Sequence, residues 1–160
     1  MKKSDQILHY FPEVSLPVIV SDEYQSEYEN NNDPFPQSFI DEIILEWEKE
    51  IDEFTEFIPC FKIPKQEKFY AVVYLKLGLL QYDFVMVTVD HNGQLISKKS
   101  IASTLVEGNT IKKSVASIET DLIINIIAGQ TTGSVDYDAS LSRTFSMEIM
   151  PSGEIIFNMD

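Results

Sequence analysis

Apolar positions in this chain follow two periods. Between Ser38 and Glu56, in SFIDEIILEWEKEIDEFTE, residues Ile40, Ile43, Ile44, Trp47, Ile51 and Phe54 recur every three or four positions. That spacing predicts a helix over 38–56, packed through 38–54 with Trp47 as its anchor. Ser38 stands where a cap belongs, and Asp41 three residues on completes a near capping box. After Thr55 the period changes. Phe57–Ile63 surrounds Pro59 and reads as an irregular strand. Phe69–Leu77 and Leu79–Val89 read as two strands around Gly78, either a tight turn or a bulge, with both faces apolar enough for burial.

Turn chemistry divides the remainder. Asp90-His91-Asn92-Gly93 is a strong hairpin signal, followed by a strand from Gln94 to Ser100 or beyond. Val106–Asn109 is a second turn. Ser114–Glu119 and Leu122–Ala128 form a hairpin joined at Thr120-Asp121. Gly129–Ser140 reads as a loop. Phe145, Met147 and Ile149 alternate in a half-exposed strand, and Pro151-Ser152-Gly153 leads into a last strand, Glu154–Phe157. Ahead of the helix, Pro12 and Pro17 restrict 1–20 to edge strands or extended coil. Residues 21–37 read as a loop, with room for a short helix in Asp22–Glu29.

Together these predict one α+β domain over 1–160: an extended or looped segment 1–37, the helix 38–56, and an antiparallel β-meander 57–160. The meander has about six to eight strands in a strongly curved or partly closed sheet, with one amphipathic acidic helix packed on it.

Charge changes this picture more than composition does. The net charge is −14, and Asp22–Glu56 contains 13 acids against one base, Lys49. The other 125 residues carry a net of only −2. Such a field repels nucleic acid and anionic membranes and attracts basic proteins. In a helix it is also self-repelling. Glu42/Glu46, Glu46/Glu50, Glu48/Asp52 and Asp52/Glu56 would be like-charge pairs, each costing about 0.2–0.5 kcal/mol. A sequence that accepts local repulsion points to a use for the charge.

Candidate chemistry is sparse. Cys60 is the single cysteine, so it forms no internal disulfide, and its apolar surroundings argue for an inert buried thiol. His9 and His91 are far from it in sequence. Asp136, Asp138 and Ser140 have a D-x-D-x-S spacing, but Leu141 and Met147 occupy positions where a calcium loop needs glycine and glutamate. No zinc spacing or phosphate-binding loop occurs. There is no signal-peptide-length apolar run and no unbroken membrane-helix run, so a cytoplasmic location is expected.

The resulting expectation is a non-enzymatic interaction protein without cofactor or metal. Glu42, Glu46, Glu48, Glu50, Asp52 and Glu53 would bind a basic protein partner, as inhibitor and immunity proteins do by charge. The alternative is a small-molecule or lipid carrier with a hollow barrel-like sheet. An enzyme using Cys60 or the Asp136/Asp138 loop is the weakest of the three.

Overall fold

Alternating apolar residues separated by glycine turns produce a nine-stranded antiparallel sheet in the computed structural model, which describes residues 2–132 and 142–158. The strands are β1 (Val18–Val20), β2 (Glu56–Lys62), β3 (Tyr70–Leu77), β4 (Gln81–Val89), β5 (Leu95–Glu107), β6 (Thr110–Ile118), β7 (Ile123–Thr132), β8 (Arg143–Ile149) and β9 (Ile155–Phe157). From β2 to β9 each strand pairs with the next, so the expected meander is present, with more strands than expected. β1 departs from that order and pairs with β6, Val20 opposite Ala116. Gly93, Gly108 and Gly153 all have positive φ, as the turns at those positions require.

The sheet is not closed. Ile101 is an extra residue where β5 faces the Phe84–Val85 step of β4, a bulge that bends the strand. The C-terminal part of β5 then pairs with β6, Thr104 opposite Lys113. At the far end the chain returns to the start of the bend. The Ile155 N–H donates to Ser97 Oγ at 3.3 Å, and Thr88 Oγ1 donates to the Gly153 carbonyl at 2.6 Å. The concave face is filled: Phe61, Leu75, Met86, Ile101, Ile124 and Ile126 belong to one core and are all nearly inaccessible.

Both faces of β3 and β4 are covered, as their sequence implied. Ala71, Val73 and Leu75 point into the concave core, whereas Val72 and Tyr74 point into a second core on the outer face. That second core is completed by helices. α1 (Lys3–Leu8) contributes Ile7, where extended chain was expected from the prolines downstream. A short 3-10 turn, Asp22–Tyr24, leads into α2 (Gln25–Asn31), the short helix for which Asp22–Glu29 left room, and its Tyr28 packs against the first core. Residues 37–47 form α3, an α turn at Gln37–Phe39, a π turn at Ile40–Ile44 and a last α turn at Leu45–Trp47. The expected single helix is therefore one of several.

Candidate interaction surface

α3 begins at Gln37 with Pro36 in the cap position, so Ser38 lies inside the first turn and is not the cap. Proline before the first turn sacrifices no helical hydrogen bond. Phe39, Ile43, Ile44 and Trp47 are buried against the outer face of β3 and β4, and Trp47 stacks on Tyr74 with ring centres 6.1 Å apart. Trp47 is the anchor the periodicity predicts.

The end of the helix departs from expectation. Helical structure stops at Trp47, and Glu48 has extended backbone angles, φ −107° and ψ 116°. Two lysines and a tyrosine from the sheet hold this end in place. Lys98 Nζ donates to the Trp47 carbonyl at 2.7 Å, and Lys76 Nζ donates to the Glu50 carbonyl at 3.0 Å. Glu48 turns inward, where Tyr74 Oη donates to its Oε1 at 2.9 Å and Lys76 Nζ to its Oε2 at 3.0 Å. Lys98 Nζ lies 3.6 Å from the same carboxylate. Tyr74 and Lys76 are two residues apart on β3, so they share a face, and Lys98 comes to the same face from β5. The phenol of Tyr74 is held well above its ordinary pKa, first by burial and then by the charge of Glu48.

Glu48 is thus a buried structural anion, with a side chain only 4% exposed, and it leaves the group of expected partner-binding residues. The remaining five are exposed. Glu46 pairs with Lys3 at 2.9 Å. Asp52 organises its own turn, accepting from the Phe54 N–H at 2.8 Å and from Thr55 Oγ1 at 3.2 Å. Glu42, Glu50 and Glu53 have no ion-pair partner among the described residues. Because the helix ends early, Glu42/Glu46 is the one expected repulsive pair that remains within it. Ile51 and Phe54, expected on its buried face, are 42% and 56% exposed.

The other expected candidates are dispersed or buried. Cys60 is 1% exposed, its thiol pKa is pushed well above the ordinary value by burial, and it donates weakly to the Ile58 carbonyl at 3.7 Å. His9 is exposed on the helical side. His91 packs against Tyr70 with ring centres 4.9 Å apart and the rings tilted by 46°, and its Nε2 is buried without a hydrogen-bond partner among the described residues. Asp136, Asp138 and Ser140 lie outside the described residues. Elsewhere, no cluster of three metal-ligating side chains occurs among the described residues. No helix among them is long and apolar enough to cross a membrane.

Sequence reasoning missed one exposed apolar feature, the turn between β3 and β4. Leu79 and Leu80 are 66% and 62% exposed at its tip. With Ile51, Leu105 and Val106 they line an open groove of about 660 Å³, whose polar side chains include Glu50, Asp52 and Asp83. Two adjacent leucines at a turn, a place usually given to Gly, Asn, Asp or Ser, were the available signal. No family model matches this chain, and neither a curated protein nor a solved structure shows significant similarity to it.

Proposed function

We propose that this protein is a non-enzymatic interaction protein whose acidic surface, formed by the segment Asp22–Glu56, docks a basic protein partner. One observation carries the reading. Of the 13 acids in that segment, ten are solvent-exposed and without an ion-pair partner among the described residues; the exceptions are Asp22, Glu46 and Glu48. Uncompensated carboxylates at this density make a field that accelerates encounter with cations and excludes polyanions. A lone free thiol suits the reducing cytoplasm as the place where this happens. A carrier would need an interior volume, and the concave face is occupied by Met86, Ile101, Ile124 and their neighbours.

The test is capture from a lysate of the source organism at low and at high salt, with wild-type protein and the triple variant Glu42→Lys/Glu50→Lys/Glu53→Lys. These three side chains are exposed and unpaired, so the variant keeps its fold. A basic protein that binds wild type, elutes as salt rises and is not captured by the variant supports the reading. Equal capture by both proteins ends it.

A further inference from the structure

The groove at the β3–β4 turn narrows the kind of partner. It mixes carboxylates with exposed apolar side chains where a solvated turn is usually polar throughout. Leu79 and Leu80 project at the tip, and their backbone is fixed: the Gly78 N–H donates to the Gln81 carbonyl and the Val106 N–H to the Leu80 carbonyl, each at 2.9 Å. These side chains are therefore displayed on a rigid support. Ile51 faces the same groove from the segment that follows α3. That segment is tied down by Lys76 at the Glu50 carbonyl and by Lys98 at the Trp47 carbonyl, so the opposite wall is also fixed.

Carboxylates outnumber cations around these apolar side chains. Glu50, Asp52 and Asp83 line the groove, and its one cation, Lys76, is already engaged by Glu48 and by the Glu50 carbonyl. This mixture of apolar side chains and carboxylates complements a segment that alternates bulky apolar residues with lysine or arginine. Polyanions fit neither part of it, and uncharged apolar partners fit only the apolar part.

We propose that this groove is the docking site for a basic amphipathic segment of the partner protein. Its apolar side chains cover Leu79, Leu80 and Ile51, and its cations reach Glu50, Asp52 and Asp83. This rests on the acidic-surface reading above and adds the location and the apolar half of the recognition.

The experiment uses the full chain and two labelled synthetic peptides of equal length and charge, one alternating lysine with leucine and the other lysine with serine. Affinity is read by fluorescence anisotropy for wild type and for Leu79→Ser/Leu80→Ser. Both leucines are exposed, and an unchanged thermal melt confirms that the variant is folded. The lysine–leucine peptide should bind wild type at least about tenfold more tightly than the lysine–serine peptide, and the variant should abolish that advantage while leaving lysine–serine binding unchanged. If lysine–serine binds at low salt but lysine–leucine gains nothing, or the gain survives in the variant, the groove proposal falls and the acidic-surface reading stands. If the lysine–serine peptide does not bind wild type at low salt, the acidic-surface reading itself falls. A wild-type dimer that the variant converts to monomer would make a second copy the occupant and overturn the proposal.

Discussion

Glu48 shows how one residue's role is decided by neighbours that the local sequence does not contain. In the sequence it is one carboxylate in a row. In the fold it is the centre of a buried set with Tyr74, Lys76 and Lys98, which come from β3 and β5. Leaving buried partners unmatched is costly, so Glu48→Gln should lower stability by about 1–3 kcal/mol, read as a shift in the urea midpoint. Glu53→Gln, at an exposed unpaired site, should leave the midpoint within about 0.5 kcal/mol. The Tyr74 phenol also fixes a pH dependence. Its folded pKa is raised, so the folded state holds the proton more tightly than the unfolded chain does. This contribution is fully present below a pH of about 10 and is lost as pH rises beyond it. Denaturation at alkaline pH should therefore steepen in wild type relative to Tyr74→Phe. Cys60, buried and with its thiol pKa raised, should react with a thiol reagent only at the rate of unfolding.

At the scale of elements, periodicity was readable where one face packs on a neighbour and misleading where it does not. Trp47 and Ile43 lie on the predicted face and are buried, because α3 packs on the outer core. Ile51 and Phe54 continue the same period, yet two lysines from the sheet take the carbonyls of Trp47 and Glu50. Tertiary hydrogen bonds ended the helix where repulsion among its acids had already weakened it. The strands from Phe57 to Val89 were legible because glycine and proline punctuate them. α1 was not, because only its packing on the outer core, through Ile7, supports so short a helix. The edge of β2 is a further case. Asn32 Nδ2 donates to the carbonyls of Pro59 and Cys60 at 2.6 and 3.0 Å, the Val14 N–H donates to the Lys62 carbonyl, and the Lys62 N–H donates to the Pro12 carbonyl. These contacts cover a strand edge that would otherwise template association. Asn32→Ala should cost about 1–2 kcal/mol and raise aggregation on heating, measured by light scattering during a thermal ramp.

For the molecule as a whole, the order of strands was legible and the contacts between distant strands were not. Hairpin turns are local, so Gly93 and Gly153 announced themselves. The distant contacts, Ser97 with Ile155 and Thr88 with Gly153, join residues 58 and 65 positions apart and leave no local trace. The same holds for the candidate surface. Its charge was visible as a run of acids, but the separation of one buried anion from the exposed ones, and the meeting of Ile51 with Leu79 and Leu80, depend on the fold. The most direct measurement for the central claim is the affinity of wild type and of Glu42→Lys/Glu50→Lys/Glu53→Lys for the lysine–serine peptide, at salt concentrations from about 50 to about 300 mM. The acidic-surface account predicts that wild type binds at low salt and weakens steeply as salt rises, with the variant at least about tenfold weaker throughout the low-salt range. Equal affinity of the two proteins, or binding indifferent to salt, would contradict it.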